Sequence, residues 1–264
     1  MHTLGDLLTI IAIAGAAAVA SPLGGLIALW RKPTTLFMSI VLGLASGILL
    51  GTICFEMLPQ ALELGSLAIA VGGFTAGFAG VYAFDLYMHR GQLVGEAAQQ
   101  RPQVERYYRR RRVRPSEVTV LAGGTSAEEL IEGLSIGVGT AIKPGLGLLI
   151  GLAIVVDNLS ESLSIGEIIR SEQTDHPRGQ ARRILGWTGL IGIAVLGSAL
   201  VGWFFLRGLS PAVLGFLIAA GGGGMFYLTI TDLVPEAEER HYQQSAAIAT
   251  AVGLLFVFTL SVFM

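Results

Sequence analysis

Apolar stretches of about 20 residues, the length needed to cross the hydrocarbon of a bilayer, recur eight times in this chain of 264 residues. They lie near 5–30, 35–58, 66–88, 119–142, 145–169, 185–207, 211–234 and 243–264. Hydrocarbon offers no water to backbone N–H and C=O groups, so such segments must be helices that satisfy them internally. Charged residues make up only 14% of the chain, where a soluble domain carries roughly a quarter. The expected fold is all-α, a polytopic membrane protein of about eight transmembrane helices forming a single domain over 1–264.

Basic residues orient the stack. With the amino terminus outside, the inner loops hold 15 of the 17 Lys and Arg, leaving only Lys143 and Arg207 outside. Lys and Arg gather in cytoplasmic loops, so both termini are expected to be extracytoplasmic in a cell (inner) membrane. Met1 to Asp6 lacks the basic n-region of a cleavable signal, and the first stretch is expected to be a retained helix. The long connection 89–118 carries Arg109-Arg110-Arg111-Arg112 and reads as a cytoplasmic loop that touches anionic headgroups. It is too short to form a folded basic surface, so the lipid bilayer is the expected partner and nucleic acid is not. The sole cysteine, Cys54, excludes a disulfide framework and Cys-rich zinc or iron–sulfur sites.

Two of the apolar stretches are interrupted by acids in matching register. Glu128-Glu129-Leu130-Ile131-Glu132-Gly133-Leu134-Ser135-Ile136-Gly137 parallels Asp157-Asn158-Leu159-Ser160-Glu161-Ser162-Leu163-Ser164-Ile165-Gly166. Helical residues four apart share a face, so Glu128 is expected beside Glu132, and Asp157 beside Glu161, with Glu129 and Asn158 flanking. A carboxylate in hydrocarbon is costly unless paired, hydrated or bound to a cation. Interhelical hydrogen bonds to Ser135 and Ser164 would account for one acid more readily than for five. Glu128, Glu132, Asp157 and Glu161 are thus the expected first shell of a divalent cation, with Glu129 and Asn158 supplying a second position. Carboxylates so crowded cannot all ionise without a cation, and proton exchange on metal binding is expected. Asp85, near the end of its helix, and Glu167 are weaker candidates.

Oxygen donors suit magnesium, calcium and manganese, and less selectively iron or zinc. His2, His89, His176 and His241 all fall at expected helix ends or loops. Cys54 and Met57 could add a soft donor or serve as packing.

A second internal likeness relates Glu56-Met57-Leu58-Pro59 to Asp232-Leu233-Val234-Pro235, with Gly47 matching Gly223 upstream. The topology above runs these two helices in opposite directions, as in a transporter built from inverted repeats. Glu56 and Asp232 are accordingly candidate pathway or accessory residues. The run Gly221-Gly222-Gly223-Gly224 is compatible with close helix packing or with a hinge.

These motifs resemble those of the ZIP (Zrt-, Irt-like protein) family of divalent-metal transporters. Glu128-Glu129-Leu130-Ile131-Glu132-Gly133 stands where the fourth helix of that family has His-Asn-x-Pro-Glu-Gly, and Asp157-Asn158-Leu159-Ser160-Glu161-Ser162 stands at the fifth-helix motif. Glu56-Met57-Leu58-Pro59 is similar to its His-Leu-Leu-Pro, and Asp232-Leu233-Val234-Pro235 to its Glu-Leu-Leu-Pro. The resemblance implies a 3+2+3 arrangement of helices, a homodimer, a binuclear metal site and transport of zinc, manganese or iron into the cytoplasm, with cadmium or cobalt as surrogates. It assigns metal ligation to Glu128, Glu132, Asp157 and Glu161, with Glu129 and Asn158 at the adjacent position. The departures are Glu128 for His, Glu129 for Asn, Ile131 and Ser160 for the two prolines, and Ser162 for the second glycine. Absence of His-Glu-x-x-His and Gly-x-Ser-x-Gly leaves an intramembrane metal-dependent enzyme without a hydrolase signature, so no enzyme is expected. A non-transporting metal sensor is the other alternative, and tracer flux separates it.

Overall fold

The structure, a computed structural model, describes residues 4–30, 33–88, 115–171, 177–238 and 242–263. These form eight helical rods. They are α1 (Leu4–Trp30), α2 (Thr35–Leu64), α3 (Leu67–Met88), α4 (Pro115–Ile142), α5 (Pro144–Ser171), α6 (Pro177–Val201, continuing through Gly202–Leu206), α7 (Pro211–Glu238) and α8 (Gln243–Phe263).

The sequence sets the helix starts. Pro115, Pro144, Pro177 and Pro211 open α4 to α7, where the missing N–H costs nothing and the fixed φ already suits a helix. Thr34 caps α2, its Oγ1 accepting from the Phe37 N–H at 3.2 Å. Among the described residues, seven of the rods are long and apolar enough to cross a membrane. Helix α4 carries Glu128, Glu129 and Glu132 within its span. Outward faces are apolar, with Ile248, Val252, Leu255 and Phe256 exposed along α8. That is the surface a lipid-embedded helix presents.

The inverted repeat is visible in the packing. Gly43 and Gly47 of α2 abut Ala246 and Thr250 of α8, so these helices run parallel. Their counterparts α7 and α3 also run parallel, with Gly73 against Phe216 and Gly223 against Phe74. Likewise α1 runs parallel to α5 and α4 to α6, whereas α1 and α6, α2 and α7, and α4 and α5 are antiparallel pairs. Exchanging α1–α3 for α6–α8 and α4 for α5 maps each contact onto another.

The two acid-x-x-Pro motifs fall at the same local distortion. A π-helical turn spans Ile53–Met57 in α2 and Thr229–Leu233 in α7, and Pro59 and Pro235 follow each turn at the same spacing. A proline ring clashes with the carbonyl four residues back. Widening the turn, with Leu58 N–H donating to Ile53 O and Val234 N–H to Thr229 O, relieves that clash without breaking the helix.

Boundaries differ from expectation where helices outrun the hydrocarbon. Helix α6 starts at Pro177 rather than near 185 and carries Arg178, Arg182 and Arg183 on its first turns. Helix α2 continues to Leu64 and α7 to Glu238. Helix α4 begins at Pro115, so the connection expected over 89–118 is at most 89–114, which lies outside the described residues. The four-glycine run packs rather than hinges, since α7 is unbroken α-helix through Leu228 and Gly221 and Gly223 abut Ser135 and the Phe74 carbonyl.

Candidate metal site

Helices α4 and α5 form a tight hairpin joined by Lys143 alone. Gly147 lets the chains close on Thr140 just past the turn, where any side chain would collide with the opposite backbone. Residues about equally far from the turn then come opposite each other. Glu132 meets Asp157 within hydrogen-bonding reach, and Glu129 meets Glu161 in the same way. Glu128 lies within electrostatic reach of Glu161.

Burial ranks these residues differently from the sequence pattern. Glu129, Glu132, Asp157 and Asn158 are 2%, 5%, 8% and 0% exposed, whereas Glu128 and Glu161 are only partly buried. The positions expected to flank the site are therefore as deep as its centre, because α4 also packs on α6 and α5 on α1. Asn158 shows this directly, its Nδ2 donating to the Ala17 carbonyl of α1 at 3.2 Å.

Glu129 Oε2, Glu132 Oε2, Asp157 Oδ1 and Asn158 Oδ1 are buried without a hydrogen-bond partner. Each such group costs about 1–3 kcal/mol, and more where it is charged. All four belong to the facing α4–α5 hairpin and are oxygen acceptors that lack donors. Among the described residues, no three or more His, Cys, Asp or Glu side chains are gathered in a form ready to hold a metal ion. The acids meet as pairs.

Asp232 of α7 lies within electrostatic reach of Glu128 and Asp157. Glu56 lies instead beside Lys143 and Glu63, toward the hairpin turn. Cys54 is exposed, while Met57 is fully buried and packs against Gly221 and Gly222. Met57 is thus packing. All four histidines lie outside the described residues.

Sequence reasoning passed over one acid of this region and ranked another low. Glu236 accepts from Ser164 Oγ at 2.7 Å and is within reach of Asp157. Its signal was its place one helical turn beyond Asp232, diluted because the matching position in α2 is Gln60. Asp85 of α3, a weaker candidate, accepts from the Tyr227 hydroxyl at 2.6 Å and is within electrostatic reach of Glu128.

Ile131, Ser160 and Ser162, three of the positions that depart from the resembled motif, have local contacts of their own. Helices α4 and α5 are α-helical throughout, without a π-turn or break. Ile131 packs against Val81, Tyr227 and Leu228, and the Ser160 hydroxyl donates to the Asp157 carbonyl at 2.7 Å. At Ser162 the α1–α5 approach is made possible by Gly24, where an added Cβ would lie 2.8 Å from the Ser162 Cβ. In the matching α4–α6 contact the glycine is on the other partner, Gly133 against Ser198.

Fold and site together define a multi-pass integral membrane protein of inverted-repeat design with paired carboxylates buried between its two central helices. No family model matches the chain. It is 28% identical over 230 residues to a zinc transporter ZupT of Escherichia fergusonii, covering 84% of each chain. It is 26% identical over 234 residues to the zinc transporter ZupT of Salmonella arizonae, covering 86% of this chain and 84% of that protein. A zinc transporter ZupT of Salmonella paratyphi A is 28% identical over the same coverage. The chain is thus similar, over most of its length, to bacterial zinc transporters. These relatives are named as zinc transporters.

Proposed function

We propose that this protein is a secondary transporter that moves divalent metal ions across the membrane, toward the cytoplasm, through the carboxylates between α4 and α5. The observation that carries this reading is the set of buried, partnerless oxygens on Glu129, Glu132, Asp157 and Asn158. Buried acceptors without donors destabilise the metal-free protein, and a cation held between two helices offsets that cost. Glu128 and Glu161, less buried on the same helices, complete the candidate ligand set.

Zinc is the first candidate cargo, because the relatives are named zinc transporters and zinc accepts carboxylate ligands. A donor set of oxygens also suits manganese and iron, with cadmium or cobalt as surrogates. The pairing of helices supports two moving groups. One contains α1, α4, α5 and α6, held by the parallel α1–α5 and α4–α6 contacts, and the other contains α2, α3, α7 and α8. Termini on the extracytoplasmic side of an inner membrane, a homodimer and a second metal position at Glu129 and Asn158 belong to the same reading.

The test is metal uptake into proteoliposomes containing purified protein, competed with zinc, manganese, iron, cobalt and cadmium. Glu132→Ala and Glu161→Ala should each abolish uptake while the protein still inserts and keeps its helix content. Uptake that survived both substitutions would remove the assignment of these acids.

A further inference from the structure

A serine or threonine in a buried helix ordinarily bonds the carbonyl one turn back, as Ser46, Thr52, Ser135 and Thr140 do here. Ser164 does otherwise. Its hydroxyl reaches from α5 to the carboxylate of Glu236 on α7 at 2.7 Å, and Ser164 itself is 8% exposed. The repeat has no equivalent bond. Ser135, the counterpart of Ser164, bonds its own Ile131 carbonyl at 2.8 Å, and Gln60, the counterpart of Glu236, bonds Glu63 at 3.2 Å. Repeat symmetry therefore does not explain the contact.

The surroundings are those of a closure. Ser164 lies seven residues beyond Asp157, about 10 Å along α5 toward its end. Leu163 and Ala237, the neighbours of the bonded pair, pack with Ala28, Met38, Leu42 and Ala246 in a small apolar cluster. That cluster draws on α1, α2, α5, α7 and α8 at the end of the bundle where α5 and α7 terminate. This apolar cluster and the Ser164–Glu236 bond lie between the acid pairs and that face. The bond also joins the two groups of helices that the transport reading sets in relative motion.

We propose that Ser164 and Glu236 form a latch sealing the acid site toward the face where α5 and α7 end, with Glu236 the first carboxylate a cation meets once the seal opens. This rests on the transport reading for its purpose, though the seal can be tested without flux. Glu236 is a gating residue in this scheme, and its bond is broken and remade in each cycle.

Two arms test it in a Cys54→Ser background. In the first, Ser164→Cys and Glu236→Cys are bridged with a short bifunctional methanethiosulfonate. Uptake of zinc should fall at least tenfold on bridging and return with reductant, while zinc still raises the melting temperature of the bridged protein. Uptake at the unbridged rate would overturn the latch. In the second, Leu163→Cys is labelled by a membrane-impermeant maleimide from the face where α5 ends. Adding Ser164→Ala should raise the labelling rate several-fold, and an unchanged rate would overturn the seal. A chain that moved no metal at all would sink the transport reading, and the labelling would still decide the seal.

Discussion

Glu132 and Asp157 face each other across the α4–α5 hairpin within hydrogen-bonding reach, each keeping one buried oxygen without a partner. Their pairing explains why the metal-free site is costly and why a divalent ion would reward its formation. Glu132→Gln keeps the shape and removes one charge. Removing half of a buried carboxylate pair relieves like-charge crowding, so the metal-free protein should melt at the same temperature or higher. Metal uptake should fall at least about tenfold, equivalent to about 1.4 kcal/mol. Tracer flux and thermal unfolding on the same preparation check both halves.

Metal binding should itself stabilise the fold. A ligand at about 100 times its dissociation constant adds about 2.7 kcal/mol to a protein that binds it only when folded. Zinc should therefore raise the melting temperature of the detergent-solubilised protein, and a chelator should reverse the rise. In Glu132→Gln combined with Asp157→Asn the zinc-dependent shift should disappear. A shift of the same size in that double variant would move the binding site elsewhere.

Much of this was legible in the chain because membranes impose simple rules. Length and apolarity gave eight helices, and the duplicated motifs gave the inverted relation of α2 and α7, since a proline leaves the same π-turn in each. What the pattern could not supply was depth. Periodicity put Glu128 and Glu132 on one face, yet Glu129 is the more buried because α6 covers it, with Ser198 donating to the Glu129 carbonyl at 3.3 Å. Glu56 and Asp232 hold matching places in the repeat, but only Asp232 comes within reach of the central acids, and Glu56 sits by Lys143. Sequence likeness records the repeat. It does not record where the two halves differ.

Glycine packing gives a prediction with an internal control. A Cβ at Gly223 would collide with the Phe74 backbone of α3, whereas one at Gly72 meets nothing within 4 Å. A backbone obstacle cannot swing aside, so Gly223→Ala must separate the helices, at a cost of about 1–3 kcal/mol. Gly72→Ala should be neutral or slightly stabilising. Thermal unfolding of the two variants in one detergent should differ accordingly, and equal melting temperatures would contradict the close α3–α7 approach.

Arg170 offers a last test, of how α1 is held to α5. The final carbonyls of a helix have no intrahelical donors, and the last turn of α1 carries no basic residue of its own. Arg170 of α5 supplies the missing donor, its guanidinium bonding the Ala28 carbonyl and reaching the Leu29 carbonyl at 3.4 Å. A hydrogen bond from a charged group to a partly buried carbonyl contributes about 1.5–3 kcal/mol. Arg170→Met keeps most of the stem and removes the donors, so it should lower stability by about that amount. Arg170→Lys should recover only part of the loss, because an ammonium is more strongly hydrated and has a shorter reach than the Arg170 Nη1 that bonds both carbonyls. Thermal melts of wild type, Arg170→Lys and Arg170→Met should therefore fall in that order, and a Met variant as stable as wild type would show that the α1–α5 seam is held by its apolar packing alone.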